Sequence, residues 1–124
     1  MGRENFGGRG PFNLPYSRVV RAGDFVFVSG QIGVGPDGKI VAGGIEAETR
    51  RALERVGEAL ALAGCTLADV VKATAYLSDA SDFGKFNKAY GEFFPESAPA
   101  RTSVASPLVI DAKVELDMIA YRPQ

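Results

Sequence analysis

Arg101 and Ser103 fall on one side of a strand by the two-residue repeat, with Thr102 and Val104 on the other. An arginine there presents a planar fork of donors that fits a carboxylate bidentately, where lysine would act as a point charge. The plainer alternative is an edge-strand charge. In the last strand Val114, Leu116, Met118 and Ala120 form an apolar face, which leaves Glu115 and Asp117 on the opposite one beside Ile119 and Tyr121. A carboxylate on such a half-apolar surface is either a solvated group or a general base that orients water; spacing alone does not choose between the two acids. Ser29 ends the most apolar strand, next to Gly30, whose missing side chain lets a ligand or backbone approach. Its hydroxyl reads equally well as a turn former. Asn87 lies on the inward stripe of a helix, where it either ties that helix to a neighbouring loop or faces a pocket. An unpaired buried polar group costs roughly 1–3 kcal/mol, so such a residue is kept with partners or for a task.

Composition narrows the chemistry these groups could join. The 124 residues contain no histidine and one cysteine, Cys65, which removes disulfides, zinc-finger spacings, Cys/His dyads and Ser/His/Asp triads. Carboxylates, Arg, Lys, Tyr, hydroxyls, amides and water remain, with no cofactor or metal expected. Cys65 follows Gly64 at a helix end and reads as a small half-buried filler rather than a reactive thiol. Fourteen basic against fifteen acidic residues give a formal charge of −1, which offers no field for a phosphate backbone, so nucleic acid is not expected as a partner. No window approaches the ~18 apolar residues of a membrane span, and Arg3 and Arg9 flank no signal-peptide core. A cytoplasmic protein of one domain, residues 1–124, is expected.

The elements that must carry these residues follow from periodicity. Residues 1–12, rich in glycine, should be loosely ordered until Phe12. Val19-Val20 and Phe25 to Val28 flank the turn signal Ala22-Gly23-Asp24 and predict a hairpin. The second strand is apolar on both faces, which calls for cover by helices on one side and by another subunit on the other. Pro36-Asp37-Gly38 turns into a short strand around Ile40. Ile45 to Ala63 has the helical repeat Ile45, Thr49, Ala52, Leu53, Val56, Leu60, Ala63, with Gly64 as its stop. Val70 to Leu77 alternates, with Val71, Ala73, Ala75 and Leu77 on one side. A second helix, capped by Asp79 or Ser81, carries Phe83, Phe86, Tyr90 and Phe94 before Pro95. Arg101 to Ala105 and Lys113 to Tyr121 complete an α+β chain in which a mixed sheet has both helices on one face.

With these elements laid out, the chain resembles the RidA (YjgF/YER057c/UK114) family. Pro15-Tyr16-Ser17, Val28-Ser29-Gly30-Gln31-Ile32, Gly64 with Val70-Val71-Lys72, Phe86-Asn87 with Tyr90 and Phe93-Phe94, Pro99-Ala100-Arg101-Thr102 and Val114-Glu115 look like its successive signatures, in order from about Tyr16 to Ala120. The resemblance implies a chorismate-mutase-like fold, a homotrimer with its sheets forming an inner barrel, and sites in clefts between subunits. It implies metal-free hydrolysis of 2-aminoacrylate, 2-aminocrotonate and their imine tautomers, 2-iminopropanoate and 2-iminobutanoate, to 2-oxo acids and ammonia. Arg101 would hold the substrate carboxylate and Glu115 would position water, with Asp117 a bystander. Tyr16, Ser29, Gly30 and Asn87 match pocket-lining positions, and Ser103 stands where many members have cysteine. Leu14 replaces a common glycine and the segment from Phe94 to Pro99 looks shortened; both border the family's pocket, so a larger amino-substituted acid such as aminomuconate is the alternative substrate. A non-catalytic carboxylate-binding regulatory trimer is the alternative class. Some members are described as endoribonucleases, a role that the missing histidine and basic stripe argue against.

Overall fold

A β-branched and aromatic run on either side of Gly23-Asp24 folds back on itself, and the rest of the sheet assembles around that hairpin. The computed structural model describes residues 2–9 and 13–124. Its strands are β1 (Arg3–Phe6), β2 (Val19–Ala22), β3 (Phe25–Ile32), β4 (Val70–Leu77), β5 (Ala100–Ala105) and β6 (Val114–Tyr121), with helices α1 (Gly44–Leu62) and α2 (Phe83–Gly91). The six strands form one sheet in the order β1-β2-β3-β6-β4-β5. Neighbours run antiparallel except β4 and β5, which are parallel. Parallel strands need a crossover rather than a tight turn, and α2 lies in that crossover. The connection therefore brings Asn87 back toward the strand that carries Arg101.

Both helices pack on one face. Ala52, Leu53, Val56 and Leu60 of α1 meet Val26, Val28, Ala73, Leu116 and Met118 of the sheet, and Phe86 and Tyr90 of α2 join the same cluster. Gly64 ends α1 in the left-handed region (φ +79), which lets the Cys65 N–H return to the Leu60 carbonyl. The buried Arg21 donates to the Ala63 carbonyl at 3.0 Å, a cation at the negative end of the helix, and to the Gly23 and Arg122 carbonyls. Arg50 of α1 pairs with Glu92, just past α2, at 2.8 Å and so couples the two helices. No helix among the described residues is long and apolar enough to cross a membrane. Leu53 is fully buried, so Leu53→Ala should lower unfolding free energy by about 2–5 kcal/mol, read as an earlier urea midpoint at unchanged slope.

Four expectations are corrected. Residues 3–6 are not loose but form β1, pairing Arg3 with Ala22 and Phe6 with Val19; the open edge of β2 supplies backbone partners that apolar spacing cannot reveal, while Phe12 lies outside the described residues. Ile40 makes only an isolated bridge to Val34. A register shift between Val70 and Lys72 puts Val70 in the core and leaves Val71 exposed. The second helix starts after a 3-10 turn (Ala80–Asp82) capped by Asp79, whose carboxylate accepts the Ser81 N–H, and it ends at Gly91. Phe83 is consequently exposed, and Phe94 packs against Tyr90 from beyond the helix.

Among the described residues no helix covers the other face of the sheet. Phe25, Phe27, Val104 and Tyr121 are exposed there, which leaves an apolar surface in the single chain.

Candidate functional site

Arg101 sits on the edge strand β5 opposite Ala73 of β4, on the helix-bearing face of the sheet. Its guanidinium carbon lies 4.8 Å from the Tyr90 ring centre, 5.2 Å from Phe86 and 5.7 Å from Phe83. The Arg101 Nη2 donates to Asn87 Oδ1 at 2.7 Å. Three rings and an amide thus hold a cation in place without neutralising it. Among the described residues no carboxylate pairs with Arg101. Burial pushes the Tyr90 hydroxyl pKa up, with Arg101 opposing, so the cradle carries no negative charge of its own. Ser103, two residues on and opposite Ala75, shares this face and is exposed.

Glu115 and Asp117 belong to the central strand β6 and lie on the open face. Glu115 stands across from Ile32 of β3 and Tyr76 of β4, and Asp117 across from Thr74. Burial, with the neighbouring Asp117 charge adding to it, raises the Glu115 carboxyl pKa above the ordinary range. Burial also raises Asp117, against the opposing hydrogen bonds from Tyr76 and Thr74 and the charge of Lys72. The ladder between β3 and β6 shifts register between Val28 and Gln31, so Ser29 and Gly30 leave the regular pairing. Glu115 leans into that gap: a methyl group at Gly30 would meet its carboxyl carbon at 2.8 Å. The Ser29 hydroxyl donates to the Ser17 carbonyl at 2.6 Å. That bond ties the Tyr16 segment to the bulge. Tyr16, Ser17, Val20 and Ser29 share the wall of an open hollow of about 550 Å³.

One chain therefore brings Arg101 together with Asn87, and Glu115 together with Gly30, with Ser29 and Tyr16 beside them. It does not bring the two groups together, because the sheet stands between them. Four residues were not singled out from sequence as part of a site. Phe83, Phe86 and Tyr90 read as a core stripe, yet they also form the seat of the guanidinium; the signal was that Arg101 begins the strand reached through their helix. Tyr76 read as an alternating strand residue, and its link to Asp117 depends on a β4–β6 register that no local pattern encodes.

The family model described as endoribonuclease L-PSP matches residues 11–122. The chain belongs to the RidA (YjgF) family. A RutC family protein of Pyrococcus abyssi is 46% identical over 110 residues, covering 87% of each chain. The mouse 2-iminobutanoate/2-iminopropanoate deaminase is 40% identical over 110 residues, covering 87% of this chain and 82% of its own. The crystal structure of yeast Mmf1 superposes with a TM-score of 0.90 at 31% identity, over 97% of this chain and 98% of that one. Escherichia coli TdcF with bound serine superposes at 0.82 with 35% identity, over 88% and 89%. The mixed sheet with two helices is thus the RidA architecture, and the two polar corners are features of a RidA chain.

Proposed function

We propose that this RidA protein is a homotrimer that hydrolyses 2-imino acids, with the Arg101 corner of one subunit meeting the Glu115 corner of its neighbour. The observation that carries the reading is the un-neutralised guanidinium in its aromatic seat, which needs an anion. The exposed apolar sheet face supports the assembly, since burying it against a second copy removes it from water. The deaminase relatives support the reaction.

In that reaction Arg101 binds the substrate carboxylate, Asn87 fixes the plane of the guanidinium, and Glu115 accepts a hydrogen bond from water at the imine carbon. The water oxygen bonds to that carbon while one water proton passes through Glu115 to the imine nitrogen; the second water proton then follows to nitrogen by the same route, and the C–N bond breaks to release ammonia and the 2-oxo acid. Tyr16, Ser29 and Ser103 shape the walls. An imine already reacts with water, so orientation and proton transfer account for the acceleration asked of the protein. No metal or cofactor enters this scheme.

The direct test generates 2-aminoacrylate with a serine/threonine dehydratase and follows decay of its imine with and without the purified protein. Light scattering should give a mass near three times the 13.1 kDa chain. Unchanged imine decay would remove the activity, and a monomer would remove the shared site. Gly30→Ala provides a narrower check: the added methyl must displace the Glu115 carboxylate, and a shift of about 1 Å can cost on the order of 100-fold in kcat/KM. A Gly30→Ala protein with wild-type rates would place Glu115 outside the chemistry.

A further inference from the structure

The hollow beside Ser29 contains more than a small imino acid requires. Besides Pro15, Tyr16, Ser17, Val20 and Ser29, its wall includes Arg3, Asn5 and Arg9, with no acidic residue among the described residues that line it. In a chain with fourteen basic and fifteen acidic residues, two guanidiniums around a hollow whose described lining holds no carboxylate set up a local field that favours an anion. The strand β1 supplies the first half of it. Pairing of Arg3 with Ala22 and of Asn5 with Val20 sets both side chains on the open face, the face of Glu115. The Asn5 amide donates to the Ser17 hydroxyl at 2.8 Å, fixing β1 to the Tyr16 segment. Arg9 comes from the following turn and is anchored through Nε to the Leu14 carbonyl at 2.9 Å. Among the described residues neither Arg3 nor Arg9 pairs with a carboxylate.

Size points the same way. At about 550 Å³ the hollow falls in the ordinary range for small-molecule sites, roughly 300–1,000 Å³, and far exceeds the room that a three-carbon imino acid fills. One carboxylate is already accounted for by Arg101, in the proposed reading, at the other corner. The arginines of the hollow then have a different group to meet.

We infer that the preferred substrate is the imine of a dicarboxylic amino acid, its second carboxylate held by Arg3 and Arg9 while its first is held by Arg101. This rests on the proposed deaminase site and names its substrate class. The chemistry is unchanged: water adds at the imine carbon, ammonia leaves, and a 2-oxo dicarboxylate is released. The specificity lies in the N-terminal strand and its turn.

The experiment compares imines made in situ by flavin-dependent amino-acid oxidases from glutamate and from alanine, trapped competitively with semicarbazide. The wild-type protein should favour the glutamate-derived imine in kcat/KM. Arg3→Ala and Arg9→Gln, the latter retaining a donor for the Leu14 carbonyl, should each lower that value by about tenfold, the size of one charge-assisted hydrogen bond, while the alanine-derived imine changes by less than about twofold. Because both arginines are exposed in the single chain and the hollow is open, the preference should also shrink as salt rises from about 0.05 to 0.5 M. Equal losses on both imines, or none on the glutamate-derived one, overturn the inference. Calorimetry with 2-oxoglutarate and pyruvate separates it from the reading beneath it. If neither imine is turned over, the deaminase proposal fails by itself. The second-anion site then stands only if 2-oxoglutarate binds more tightly than pyruvate and loses that advantage in the two variants, and it falls if the two acids bind alike.

Discussion

Glu115→Gln should lower kcat on 2-iminopropanoate by about 10²- to 10⁴-fold, the contribution expected of one well-placed general acid–base group. Glutamine keeps the shape that leans over Gly30 and removes only the proton acceptor. Binding of pyruvate, the product, should survive, because its carboxylate rests on Arg101. The pH profile gives an independent reading. Burial and Asp117 both disfavour the Glu115 carboxylate, so the wild-type rate should fall with decreasing pH already above the ordinary glutamate range, and this limb should vanish in Glu115→Gln. Asp117→Asn removes a like charge and should move the limb to lower pH. Stability carries the opposite sign from activity. A carboxyl whose pKa is raised on folding binds its proton more tightly in the native chain, so folding stability falls as pH rises from the unfolded toward the folded pKa. Above that window Glu115→Gln should therefore melt at or above the wild-type temperature while being nearly inactive, the pattern of a functional group kept at a cost to stability. Wild-type turnover by this variant would refute the water-positioning role.

Local pattern revealed much of this molecule, and the rest needed tertiary registers. The α1 stripe from Ile45 to Leu60 and its stop at Gly64 are written in a 3.6-residue repeat and one left-handed glycine, and both appear in the structure. The alternation in β6 likewise put Glu115 and Asp117 on one face and Val114, Leu116, Met118 and Ala120 on the other. Strand β1 escaped notice because its partner is the backbone edge of β2, and Arg3, Glu4 and Asn5 bury too little to leave a periodic trace. The same gap concealed the basic hollow, which exists only once β1 is paired. In β4 the bulge after Val70 puts Val70 in place of Val71 at the head of the inward set, while Ala73, Ala75 and Leu77 face the core as their alternation predicts; the bulge is an event at the contact with β6 rather than a property of the segment. At the candidate site, Arg101 and the pair Glu115 and Asp117 were legible as residues out of keeping with mere structure, and only the family resemblance chose Glu115 of the two. Their separation by the sheet was not, since it follows from β5 pairing parallel to β4 through the α2 crossover while β6 is inserted between β3 and β4.

That separation makes Arg101 the more searching test. Arg101→Ala should reduce kcat/KM by about 10²- to 10⁴-fold, since a bidentate carboxylate contact comprises two charge-assisted hydrogen bonds at roughly 1.5–3 kcal/mol each. It should also abolish the pyruvate binding that Glu115→Gln retains. Arg101→Lys should recover only part of either, because an ammonium restores the charge but neither the fork nor the broad contact of the guanidinium with the Tyr90 and Phe86 rings. The decisive step combines the two inactive proteins. If each site takes its guanidinium from one subunit and its carboxylate from the next, chains carrying Arg101→Ala and chains carrying Glu115→Gln, unfolded together and refolded in equal amounts, draw the two residues independently at every interface. About a quarter of the sites then have both native groups, and activity returns to about a quarter of the wild-type level. If one chain supplied both groups, every site would lack one of them and the mixture would stay inactive. Because the two residues lie on opposite faces of the sheet within a chain, the returning fraction tests the arrangement of the site rather than the importance of either residue alone.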